Sequence, residues 1–226
     1  MKQLNDADGI HDSRNLEAIR ILASATGVFS GLSGLVHGFL ETLQGNVTHS
    51  TLVINAIDPA QKLWPEATLH AFTVVPSLLF AGILAMTIAS LVTIWAALFI
   101  HRKYGAWVLL LLAILLFLVG GGFGPPFMAL VASLIATQIN RPLSWWRSYL
   151  PSAVQVILAK LWPWPLVIYL LFFVASVEVA ILGYPLVWFF SADISYKILL
   201  RLGPISDVFL LVAILTAFAF DVQKPT

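Results

Sequence analysis

The stretch LLFAGILAMTIASLVTIWAALFI, residues 78–100, contains no charged side chain. A helix needs about 20 consecutive apolar residues to cross the hydrocarbon core of a bilayer, and inside that core backbone N–H and C=O groups must be satisfied within the segment. A run of this kind points to a membrane-spanning helix. The rest of the chain agrees: of 226 residues, 60% are hydrophobic and 10% charged, with a mean hydropathy of +0.93. Soluble domains carry about 25% charged residues. The expected fold class is all-α, an integral membrane helical bundle.

Hydropathy predicts about six transmembrane helices, over residues 19–43, 71–100, 106–122, 126–139, 165–190 and 205–220. They form a single transmembrane domain, 19–222, between a polar cytoplasmic segment, 1–18, and a short tail, 223–226. The start is polar and partly acidic and lacks the pattern of a cleaved signal. The fourth run gives only about 21 Å of helix at 1.5 Å per residue, so runs three and four form either two short or tilted spans or a re-entrant hairpin. With six spans, nine of the twelve Lys and Arg residues fall on the side that holds both termini and three on the other. The positive-inside rule then puts both termini in the cytoplasm. The stretch 140–165, rich in Trp with Arg and Lys between, is expected to lie along the inner surface.

Zero cysteines excludes disulfides, thiolate metal sites and a cysteine nucleophile. The net charge of +1 gives no reason to expect nucleic acid as a partner.

The first span carries the least expected chemistry. At about 100° per residue, Thr26, Ser30, Ser33, Glu41 and Gln44 all fall within about 40° of His37. Gly27, Gly31, Gly34, Gly38 and Gly45 form a second ridge beside this polar stripe. Such a ridge allows close helix–helix approach, while the stripe must face protein or water because lipid cannot satisfy it. Helix one is therefore central. Ionisable groups in a membrane helix mark ion or substrate paths, so His37 and Glu41, with Gln44 and Asn46 just beyond, are candidates for ligand or proton binding. Thr26, Ser30 and Ser33 are candidates for lining a path, although Ser and Thr also bond back to their own helix. Glu178, deep in the fifth span, is expected to share a cavity with His37. The alternative for Glu178 is a neutral acid bonded to a backbone carbonyl.

LVGGGFGPPF joins the third and fourth runs. Gly120, Gly121, Gly122 and Gly124 free the backbone to adopt positive φ, giving either a tight turn or a backbone cradle for an ion. The stretch lacks the Lys and Ser/Thr of a nucleotide P-loop. His49, His70, Asp58 and Glu66 flank the first outer loop, but their spacing matches no metal signature, and neither a metal nor a cofactor is expected. GLSG at 31–34 is similar to the Gly-x-Ser-Gly motif of rhomboid proteases. Here Ser33 and His37 share one helix and cannot easily enclose a substrate carbonyl.

HGFLETLQGN at 37–46 together with GGGFGPP at 120–126 resembles a group of bacterial multi-pass membrane proteins that has no established activity. The resemblance covers roughly residues 30–140 and leaves the last two spans unmatched. It implies a bacterial cytoplasmic membrane and directs attention to these two motifs.

The leading functional expectation is small-solute or ion permeation through an outward-facing polar site on helix one. The alternatives are an intramembrane enzyme acting on lipid or peptide, with His37 as base, and a non-catalytic membrane assembly or stress protein. The partner is the lipid bilayer. The small size points to a homo-oligomer or a membrane partner subunit.

Overall fold

A computed structural model describes residues 17–139, 141 and 143–223. The expected polar N-terminal segment and C-terminal tail lie outside them, apart from Glu17, Ala18 and Gln223. The chain is mostly helical, as its composition requires. In order come α1 (Glu17–Leu43), β1 (Val53–Asn55), a 3-10 turn (Pro59–Gln61), β2 (His70–Phe72), α2 (Leu78–Leu98), α3 (Gly105–Leu118) and α4 (Gly124–Ala136). Then follow α5 (Ser144–Tyr149), α6 (Ser152–Leu161), α7 (Trp164–Leu182), α8 (Leu186–Phe189) and α9 (Ala192–Gln223). Four helices, α1, α2, α7 and α9, are long and apolar enough to cross a membrane. α3 and α4, with 14 and 13 residues, reach only about 20 Å each.

Helix boundaries differ from the hydropathy reading where local backbone chemistry intervenes. The second long helix starts at Leu78 rather than 71. Pro76 disfavours a helical residue before it, and Ala71 instead pairs with Ile54 in the antiparallel β1–β2 ribbon. α3 stops at Leu118 because Gly120 takes φ +103°. α7 stops at Leu182, where Gly183 (φ +73°) forms a left-handed C-terminal cap and returns its N–H to the Val179 carbonyl. The last helix starts 13 residues earlier than the expected 205 and carries Pro204 inside it.

α1 lies at the centre, packed against α2, α4 and α9. Its glycine ridge is occupied by α2. A Cβ added at Gly38 would fall 2.7 Å from the Gly82 carbonyl oxygen, and one at Gly27 would fall 2.6 Å from the Ala96 Cβ. Gly31 faces Thr93 and the Ala89 carbonyl, and Gly34 faces Ala89 and Leu116. α7 packs along α9, and α5 and α6 pack against α9 as well, with the Trp146 and Phe218 rings 5.4 Å apart.

The two ends of the described chain are tied together. Asp221 of α9 is buried, and its carboxylate accepts the Ala18 N–H at 3.2 Å and the Ile19 N–H at 2.9 Å. The first N–H groups of a helix have no partner inside it and attract negative charge. Here the last helix caps the first.

The connecting segment, 44–77, forms a structured cover over one end of the bundle. Trp64 sits on Gly183 and donates its indole N–H to the Ala180 carbonyl at 3.4 Å. With Ile57 and Ala67 it forms a small apolar cluster against Leu40, Ile181 and Leu199.

Candidate functional site

The structure places the polar stripe of α1, from Thr26 to Glu41, on its buried face. Thr26, Ser30 and Glu41 are fully buried, and Ser33 and His37 are 6% exposed. What covers the stripe is the α3–α4 turn with the start of α4, so the two sequence motifs meet. The Ser30 hydroxyl donates to the Pro125 carbonyl at 2.6 Å. A Cβ added at Gly122 would meet the His37 ring at 2.6 Å, and one at Gly120 would meet the Glu41 carboxylate at 2.5 Å. Both glycines have positive φ, +87° and +103°. Only glycine combines that conformation with so close an approach.

Within this enclosure, among the described residues, neither Glu41 oxygen has a hydrogen-bond partner, and neither has His37 Nδ1. Buried polar groups are nearly always paired. A carboxyl and an imidazole one helical turn apart can each take up or release a proton. Further along α1, Thr26 Oγ1 lies beside the Tyr169 hydroxyl of α7. Both residues are buried.

The remaining candidates separate. Gln44 is half-buried and donates to the Asn55 carbonyl at 3.0 Å. Asn46 is exposed and accepts from the Ser77 hydroxyl at 2.7 Å. Both tie down the connecting segment rather than join His37. Gly121 packs on Leu116, and Gly124 opens α4 with free space at its Cβ position. Of the four glycines, Gly120 and Gly122 are the two that back onto Glu41 and His37.

Glu178 does not share a cavity with His37. It is exposed on α7, whose buried positions are Pro165, Leu166, Tyr169 and Val179. A step of about 100° per residue separates Glu178 from buried Val179 and turns it outward.

An apolar groove of about 560 Å³ runs along α3 and α4, lined by Ala113, Phe117, Phe123, Pro126, Phe127 and Leu130 among others. Of the candidate residues only Gly124 borders it. Among the described residues no three His, Asp or Glu side chains cluster to hold a metal. His49 and His70, weighed as metal ligands in the sequence, instead bond within the connecting segment. Away from the site, burial and the nearby Arg20 and Arg102 hold His101 below the ordinary imidazole value.

Three residues carried no signal in the sequence. Asp221 looks like a polar helix end, Tyr169 like a core aromatic, and Pro125 contributes through its carbonyl. Only the fold reveals their partners. Compared with family models, curated proteins and solved structures, the chain matches none.

Proposed function

We propose that the chain is an integral membrane protein of a bacterial cytoplasmic membrane. In this reading it crosses six times with both ends in the cytoplasm and moves protons, alone or coupled to a small solute, through a site formed by His37 and Glu41. Four long apolar helices and the nine-to-three distribution of basic residues support the membrane placement. Homo-oligomerisation or a partner subunit would complete a path that one small bundle leaves closed.

The observation that carries the transport reading is Glu41: fully buried, with both oxygens unpaired, beside a histidine whose Nδ1 is also unpaired. A carboxyl enclosed without a partner near the end of a membrane helix holds a proton or meets a cation, and alternation between such states is what a carrier needs. Gly120 backs onto Glu41 and Gly122 onto His37, so the α3–α4 turn forms one wall of the site.

The test is proton flux into vesicles containing the purified protein and an internal pH dye. Wild-type protein should dissipate an imposed pH gradient. Glu41→Gln should slow it at least about tenfold, equivalent to ~1.4 kcal/mol in a barrier, and His37→Ala should slow it too. Half-buried Thr68→Ala, in the connecting segment, should have no effect. Wild-type flux in Glu41→Gln ends this reading.

A second reading, a non-catalytic assembly protein with α1 as its packing surface, is favoured by the glycine-to-backbone contact between α1 and α2. It expects Glu41→Gln to raise the melting temperature, with no flux in either protein.

A further inference from the structure

His49 holds the connecting segment in a way that only one protonation state can satisfy. Its Nδ1 lies 2.6 Å from the Thr51 carbonyl oxygen and its Nε2 lies 2.8 Å from the Val75 carbonyl oxygen. A carbonyl oxygen only accepts. A neutral imidazole has one N–H and one bare nitrogen, so it can make one of these bonds and must set a lone pair against the other oxygen. The imidazolium, with two N–H groups, makes both. Distances of 2.6 and 2.8 Å suit charge-assisted bonds.

The two carbonyls belong to opposite legs of the segment. Thr51 leads from α1 toward β1, and Val75 leads from β2 toward α2. The legs are also joined by the Ser77 hydroxyl to Asn46 at 2.7 Å and by backbone bonds: His49 N–H to Pro76 O at 3.1 Å, Leu78 N–H to Val47 O at 3.0 Å, and Thr73 N–H to Leu52 O at 2.9 Å. We infer that His49 is a proton-binding clamp: its imidazolium is fixed to Thr51 on its own leg and reaches across to Val75 on the other, and loss of one proton frees the ring from one of the two.

No charged group competes for this role. The groups against the ring come from Thr51 and Val75, and the adjacent Thr48–Ser77 bridge is uncharged. Among the described residues the only ion pair is Lys197 with Asp193. The segment's other titratable side chains, Asp58, Lys62, Glu66 and His70, make no ion pair with His49 among the described residues. His70 meets Thr68 instead, at 3.4 Å.

The clamp bears on the buried site through the same leg. Val74 donates its N–H to the Leu118 carbonyl at 2.9 Å, and Thr73 bridges to Val119. Val119 precedes Gly120, which backs onto Glu41. Acid conditions therefore hold the cover and the turn in register, and alkaline conditions loosen them. Only this consequence for flux rests on the proposed function; the clamp itself does not.

The experiment is hydrogen exchange on the full-length protein in lipid nanodiscs, read at the His49, Thr73 and Leu78 amides and corrected for the intrinsic pH dependence of exchange. It is paired with nitrogen NMR of the histidine rings. Protection should fall about fivefold as His49 loses its proton, the shift that one lost hydrogen bond produces. In His49→Gln the corrected protection should be flat with pH. The same pH course in His49→Gln overturns the clamp. If that variant does not fold, the wild type decides alone: unchanged protection while the His49 ring titrates overturns it, and protection that follows the ring supports it. Should protection behave as expected while proton flux ignores His49→Gln, the link to the site falls and the clamp stands. Wild-type flux in Glu41→Gln would instead remove the site reading without touching the exchange result.

Discussion

Glu41 and Glu178 are the same side chain on two apolar helices, yet one is sealed against a glycine turn and the other is open to the surroundings. The helical stripe on α1 made Glu41 legible, since five polar residues on one face need a covering surface. Glu178 had no such companions, and its depth in a hydrophobic run said nothing about which way it faced. The partner of the stripe was equally illegible. Glu41 and Gly120 are far apart in the chain, and such contacts leave no local pattern in a single sequence. Replacing Gly120 with Ala should therefore be more damaging than its size suggests. The new methyl meets the carboxylate, and the backbone must hold a positive φ that costs about 1–3 kcal/mol outside glycine. Thermal unfolding in detergent should show a lower midpoint for Gly120→Ala, whereas Gly124→Ala, with open space at its Cβ, should leave it nearly unchanged.

At the scale of elements, the α1–α2 pair is held by backbone proximity, not by large side chains. Close packing of small residues is what associates helices where no hydrophobic effect drives them together, and the α1–α2 contact is of that kind. Gly38→Leu would drive a side chain into the Gly82 carbonyl and the Met86 backbone. It should abolish the monodisperse folded peak in size-exclusion chromatography, while Phe39→Leu, on the exposed face next to it, should not. The glycine ridge was readable because its spacing is helical. Element ends were less so, because hydropathy ignores the φ values that Gly120 and Gly183 adopt and the restriction that Pro76 places on its neighbour. The three-residue strands β1 and β2 are too short to stand out in composition. They exist because the ends of the connecting segment are brought together by α1 and α2.

At the scale of the whole molecule, four helices among the described residues are long and apolar enough to cross a bilayer, whereas α3, α4 and α6 are apolar but shorter. The proposed six crossings require the α3–α4 turn to reach the same side as the connecting segment, and its bonds to Thr73 and Val74 support that. The absence of native cysteine allows a direct check. Single cysteines at Ser50 and Phe123 should react with a membrane-impermeant maleimide added outside intact cells, and one at Arg102 should react only after lysis. Labelling of Phe123→Cys only after lysis would replace the crossing pair by a hairpin entering from the cytoplasm.

The carboxylate of Asp221 has a consequence for how the folded bundle opens. The amides it caps belong to α1 and the cap to α9, 203 and 202 residues away along the chain. Neither helix can leave the bundle without stripping Ala18 and Ile19 of their acceptor, so fraying at one is felt at the other. Removing the cap with Asp221→Ala should cost about 1–2 kcal/mol, seen as a lower unfolding midpoint. Hydrogen exchange at the Ala18 and Ile19 amides should quicken in the same variant, while exchange within α2 stays as it was. Two hydrogen bonds thus make two helices remote in the chain fray as one unit.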